Sequence, residues 1–267
     1  MKKTILILLT VIIYASCSSN DDNQVNNNQN IEVQFLTTIR SDDFHDQFDY
    51  DSDTLVYENN RLTKALFFQC SGALYQFKYN SNGKVSLFYR AQGMNTSDLN
   101  TDFSTSNTVS RTEFTYDANQ RLERLENFRP NISTGIYELE HSEVFEYDSQ
   151  NRIYRITYTD DFTTDVGLVS QFDSNGNMIS DEDGYIFEYD NSQNPFYVLF
   201  QEFGIRNIES CSLLEVQYQY HLSPNNLKRV TNSSGNVEFL TSYNVNSQNY
   251  PVSSNVNSTV ETYLYIQ

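Results

Sequence analysis

Three aspartates in the run DYDSDTLVYE, residues 49–58, stand at alternate positions: Asp49, Asp51 and Asp53. They are hard oxygen ligands at the opening spacing of a calcium loop. Such a loop needs glycine at its sixth position for the sharp bend and a bidentate glutamate at its twelfth. Thr54 and Asn60 stand there instead, so the run reads as an acidic approach to a strand and no metal is expected. His45, His141 and His221 are scattered, and none belongs to a metal or nucleophile motif. The nucleophile elbow, the zinc-protease helix, the phosphate loop and the dinucleotide fingerprint are all missing. The expectation is a chain that is not an enzyme and carries no cofactor. A hydrolase using paired carboxylates from acidic loops is the one chemistry that spacing alone leaves open.

The remaining residues must therefore build something other than a reactive constellation. Hydrophobic residues make up 38% of the 267, with 20 Tyr, 18 Phe and no Trp. That mixture suits strands with one buried aromatic face and one wet face. The formal net charge of −18 repels phosphate backbones and anionic headgroups, which argues against a nucleic-acid partner.

Lys2 and Lys3 precede an apolar run, Thr4 to Ile13, too short for a comfortable membrane span. Tyr14-Ala15-Ser16-Cys17 follows. This resembles the lipobox of bacterial lipoproteins, with Tyr14 where leucine is usual. The resemblance implies a signal peptide over residues 1–16 and lipidation of Cys17. Residues 18–30, SSNDDNQVNNNQN, have almost no apolar content and read as a polar tether. Their acidic start resembles the export signal of surface-exposed lipoproteins in some Gram-negative bacteria, which implies an outer-membrane, cell-surface location. Residues 31–267 are expected to form a single β-domain.

Within that domain one phrase returns. FKYNSNGKV (77–85), FTYDANQRL (114–122), FEYDSQNRI (145–153) and QFDSNGNMI (171–179) share an aromatic, Asp or Asn, two small or polar residues, Gly or a polar residue, a polar or basic residue, and an aliphatic or Met. TNSSGNV (231–237) keeps the turn alone; FEYDNSQNPF (187–196) and SYNVNSQNYPV (242–252) are longer versions; VYENNRL (56–62) and QYHLSPNNL (219–227) are looser. Alternation before the acid is that of a half-buried strand. Asp117, Asp148 and Asp173 can each accept from the backbone two residues on and start a turn. Asn151, Gly83, Gly176 and Gly235 occupy a place that wants a left-handed backbone, where Gln120 should be strained. Each phrase predicts one β-hairpin, and no helical periodicity stands out after the signal. The fold class expected is all-β: a large antiparallel meander of about 12 to 18 strands, strongly curved or closed into a barrel-like sheet.

The phrase resembles the YD repeat of Rhs-type proteins, over most of residues 55–253, in copies too few to enclose a second domain. It is also similar to small exported lipoproteins with degenerate repeats, including a family of unknown function with a porin-like fold. That resemblance implies a strongly curved sheet and brings no catalytic residues. Strand alternation would also allow a spanning barrel; the lipobox, the polar tether and the final Gln267 argue against one.

Three places remain for function. Cys70 and Cys211 are an even pair in an oxidising compartment, either bridged or two separate buried thiols. Residues 91–110 lack the phrase and read as a long exposed loop, disordered or partner-binding. The whole reads as a non-enzymatic, lipid-anchored surface protein with a structural or binding role and a polysaccharide or protein ligand. A glycan-binding accessory protein of a nutrient-uptake system is the alternative, with the lack of Trp counting against it.

Overall fold

The computed structural model describes residues 35–41, 52–67, 72–104, 109–205, 223–256 and 259–266. The signal, the tether, Cys17, Cys70, Cys211, Asp49, Asp51, His45 and His221 lie outside them. Among the described residues there are sixteen strands and one α-helix, in the order β1 (Phe35–Ser41), β2 (Ser52–Glu58), β3 (Arg61–Phe67), β4 (Ala73–Tyr79), β5 (Val85–Ala91), β6 (Ser110–Tyr116), β7 (Leu122–Pro130), β8 (Tyr137–Tyr147), β9 (Ile153–Asp160), β10 (Thr164–Phe172), β11 (Met178–Asp181), β12 (Ile186–Gln193), α1 (Pro195–Phe203), β13 (Asn225–Thr231), β14 (Val237–Val245), β15 (Pro251–Val256) and β16 (Thr259–Ile266).

Every strand pairs antiparallel with its neighbours in sequence, and β1 pairs with β16 from Phe35↔Ile266 to Ser41↔Glu261. The pairing order is thus that of a closed barrel. The ladder itself divides into two sheets, neither of which closes alone. A larger sheet runs from β14 through β16 and β1 to β10, and a smaller one from β10 to β14. The wall is thinnest between β11 and β12, where Ser180↔Ile186 is the one register pair.

Strand alternation places aromatic and aliphatic side chains inward. Leu55, Phe67, Tyr75, Phe77, Phe88, Phe114 and Phe145 form one buried cluster. Several of its rings meet edge to face, Tyr75 with Phe88 at 5.3 Å and Phe77 with Phe88 at 5.9 Å, a geometry that aromatic quadrupoles favour. A separate cluster of Met178, Phe187, Leu227, Val230 and Phe239 serves the smaller sheet.

The helix is a departure from the all-strand expectation. FEYDNSQNPF does not turn back as a hairpin; β12 runs on to Gln193, and the Asn194 side chain then accepts from the backbone N–H groups of Phe196 and Tyr197. Pro195 sits in the first turn, and Gly204, at φ 72°, ends the helix in the left-handed region. These are ordinary start and stop signals. Phe196, Leu199 and Phe203 of α1 bury themselves in the larger aromatic cluster.

Residues 91–104 are mostly exposed, as expected of a loop, but they also hold an ordered turn and a packed apolar anchor. A 3-10 helix, Thr96–Asn100, is closed at its start by reciprocal bonds between Asn95 and Asp98. Phe103 and Val109 pack with Leu66 and Leu74, which face away from the main cluster. Lys64 Nζ donates to the carbonyls of Leu99 and Thr101, and the Phe103 N–H donates to Gln76 Oε1 at 2.7 Å. Ala91, Phe103 and Val109, with Met94 and Leu99 packed beside them, seat the run on β3 and β4.

Candidate functional site

Six segments adopt one turn, beginning at Asn80, Asp117, Asp148, Asp173, Asn232 and Asn246. In each, the side-chain Oδ1 accepts from the backbone N–H groups two and four residues on; for Asp148 these are Gln150 at 2.8 Å and Arg152 at 2.9 Å. The backbone closes the same loop, with Asp148 N–H donating to the Arg152 carbonyl and Asn151 N–H to the Asp148 carbonyl. The fourth position is left-handed throughout: Gly83, Gly176 and Gly235 at φ 80°, 90° and 82°, Asn151 at 62°, Gln120 at 63° and Asn249 at 67°. A short acceptor that satisfies two N–H groups, followed by a residue tolerant of positive φ, is what this loop requires.

Four of these turns are tied to the copy before them, the one at Asn246 by Tyr243, whose hydroxyl donates to the Leu227 carbonyl at 2.9 Å, and three by the tyrosine next to the acceptor. The phrase's tyrosine donates its hydroxyl to the carbonyl of the preceding copy's closing aliphatic residue: Tyr79 to Leu62 at 2.6 Å, Tyr116 to Val85 at 2.7 Å and Tyr147 to Leu122 at 2.8 Å. Arginines bind forward in turn. Arg61 lies over the Tyr79 ring at 5.4 Å, Arg121 over Tyr147 at 4.4 Å and Arg152 over Phe172 at 4.1 Å. Each of the last two is also ion-paired within its own turn, Arg121 to Asp117 at 2.6 Å and Arg152 to Asp148 at 2.7 Å. The recurring Tyr-Asp and the basic residue four positions on are thus one device: acid for the turn, arginine to brace it, ring for the neighbour's arginine.

These contacts set the charges. Burial acts to raise the Asp117 and Asp148 carboxyls, but hydrogen bonds from the arginine backbone and side chain, the N–H two residues on, and the arginine charge outweigh it and hold both below the usual carboxylate range. Tyr79 and Tyr116 are pushed up, chiefly by burial.

The turns at 117–121, 148–152 and 173–177 form one side of a cavity of about 1000 Å³, with Tyr197, Phe200, Gln201 and Gly204 of the α1 segment on the other. Lys84 joins the two sides, its Nζ donating to the Gln201 and Glu202 carbonyls at the end of the helix. Burial lowers the Lys84 pKa, against the pull of Glu202. The charge that the cavity presents is largely spent. Arg121 and Arg152 are paired, and Asp173 accepts from the Asn175 and Asn177 N–H groups and from Asn177 Nδ2. What stays available is uncharged. The Asn119, Gln150 and Asn175 side chains are exposed and make no hydrogen bond among the described residues, and all three stand at the third position of their turns.

The other residues singled out in the sequence lie elsewhere. Asp53 is fully buried in β2, opposite Ile39, so it does not stand in an open loop as a calcium ligand would. His141 stacks on Tyr158 at 5.1 Å. Gly235 belongs to the turn between β13 and β14, away from the cavity lining. Among the described residues no three His, Cys, Asp or Glu gather as a metal site. Tyr197 and Gln201 are not distinguishable in the sequence because α1, which was not expected, brings them to the cavity, and Lys84 gains its role only through its bonds to the end of that helix.

No family model matches the chain, and no curated protein does. Among solved structures, a porin-like protein from Bacteroides uniformis is similar at 11% identity over 80% of this chain and 78% of its own, with a TM-score of 0.36. A DUF3836 family protein from Parabacteroides distasonis is similar at 20% identity over 35% of this chain and 84% of its own, with a TM-score of 0.25.

Proposed function

We propose that this chain is a lipid-anchored protein of the bacterial cell surface with a non-enzymatic binding role, and that the cavity beside α1 holds its ligand. The lipobox-like Tyr14-Ala15-Ser16-Cys17 and the polar tether support the anchor. One observation carries the binding role: the groups with reactive potential around the cavity are engaged in turn architecture, while its uncharged amides are left open. Asp117 and Asp148 are bonded to their own turns and arginines, which leaves neither poised to move a proton. A concavity of this size with convergent polar groups and the rings of Tyr197 and Phe200 can hold and orient a ligand.

The test offers the full chain a panel of oligosaccharides and peptides, reading turnover and thermal stabilisation in the same samples. Stabilisation without product is expected. Turnover that disappears on replacing Asp117, Asp148 or Asp173 would overturn the reading. For the anchor, labelling with an alkyne fatty acid is expected to mark the protein and to be lost in Cys17→Ser.

A further inference from the structure

Adjacent strands lie about 4.8 Å apart and these turns join alternate pairs, so equivalent positions in successive turns fall about 10 Å apart. Asn119, Gln150 and Asn175 are such positions, giving three free amides in a row along one side of the cavity. The turn does not need these side chains, since only their backbone N–H groups bond to Asp117, Asp148 and Asp173. Each amide offers a carbonyl acceptor and two N–H donors. Tyr197 lines the opposite side from α1, and its raised pKa, caused by burial, keeps its hydroxyl a neutral donor.

We infer, resting on the binding role proposed above, that the cavity takes a linear, neutral oligosaccharide laid across the three turns, with each amide reading one disaccharide unit and Tyr197 supplying the ring for a sugar face. Three observations select this class. A sugar hydroxyl both donates and accepts, which an amide matches in either sense and a charged group does not. Arg121 and Arg152 are already paired to carboxylates and stacked on rings, so an anionic chain finds no free guanidinium. An extended peptide returns the same face every two residues, about 7 Å, and falls out of step with the row, whereas a chain of hexoses turned over at each linkage repeats at about the turn spacing.

The experiment titrates the full chain calorimetrically with cellohexaose, mannohexaose and chitohexaose, with their disaccharides, with hexagalacturonate and with a pooled nonapeptide library. At least one neutral hexamer is expected to bind at least tenfold tighter than its disaccharide. The Asn119→Ala/Gln150→Ala/Asn175→Ala variant is expected to lose at least tenfold in affinity with an unchanged melting temperature, and Tyr197→Ala to weaken binding separately. A hexamer no tighter than its disaccharide, or full affinity in the triple variant, overturns the inference. Binding of hexagalacturonate or peptide alone, abolished by the cavity-filling Gln201→Trp, overturns the neutral-oligosaccharide class and leaves the binding role standing. Silence from every probe in a folded sample overturns both.

Discussion

The row of turns along one end of the ladder and the single turn between β13 and β14 share one backbone loop but brace it differently. At 117–121 and 148–152, arginine closes each turn onto its aspartate and stacks on the next ring, and a tyrosine hydroxyl holds the carbonyl of the copy before. The tips touch as well, Asn82 Nδ2 donating to Gln120 Oε1 and Arg121 Nη1 to Asn151 Oδ1. The turn at 232–236, between β13 and β14 in the smaller sheet, has its own backbone loop, the Asn232 acceptor and a bond from Asn232 Nδ2 to Glu238 on the adjoining strand, with no arginine brace. Asn236 stands where the first two turns have Arg121 and Arg152, and Thr231 where they have Tyr116 and Tyr147. The difference follows from topology. The turns at 80, 117, 148 and 173 each join an even strand to the odd strand after it, so they are neighbours along one end and can be linked. The 232 turn joins an odd strand to an even one and so falls at the other end. The same local motif is therefore a linked series in one place and an isolated hairpin tip in another.

Removing the acceptor should separate the two cases most. Asp148→Ala strips two backbone N–H groups and an arginine of their partner, a loss of about 3 kcal/mol, whereas Asn232→Ala at the exposed tip should cost about 1 kcal/mol. Equal losses in urea titrations would remove the distinction. Gly204→Ala tests the packing of α1 against the braced turns: the added Cβ would clash with the Tyr116 hydroxyl, at a φ of 72° that disfavours a side chain. A loss of about 2 kcal/mol is expected, partly relieved by Tyr116→Phe.

Acid should act on the braced turns. The Asp117 and Asp148 carboxyls are depressed, so their stabilisation is full above the unfolded carboxylate pKa, near 4, and is lost as pH falls through the lower folded values. Melting temperatures measured downward from pH 5 should drop less steeply in Asp117→Asn than in the parent protein. The smallest effect is at Gln120. Its left-handed backbone carries strain that glycine removes, while its bond to Asn82 is exposed; Gln120→Gly should gain about 0.5 kcal/mol.

The turns were legible because their requirements are local: a short acceptor at Asp148, then a residue tolerant of positive φ at Asn151, with alternation before and after. The links between copies were not, since the bond of Tyr147 to Leu122 spans residues that only strand pairing makes adjacent. The helix had its signals in Asn194, Pro195 and Gly204, but Tyr189-Asp190 imitated the hairpin phrase and drew the reading toward a turn. The polar composition of residues 91–104 gave their exposure but hid their anchor, because Ala91, Met94, Leu99 and Phe103 have a surface to pack on only once Leu66 and Leu74 offer one. Asp53 resembled a ligand through its spacing and proved to be a buried strand residue. The cavity was out of reach for the same reason as the links, since its two sides come together only through α1.

The central claim is that contacts between turns, and not the turn alone, stabilise the larger sheet. The backbone N–H groups of Arg121, Arg152 and Asn236 all donate to their turn acceptors at 2.9 Å, so their local bonds are matched. Native-state hydrogen exchange at single-amide resolution compares them directly. The account predicts that Arg121 and Arg152 exchange at least tenfold more slowly than Asn236, after correction for intrinsic rates. Equal protection at the three positions would contradict it.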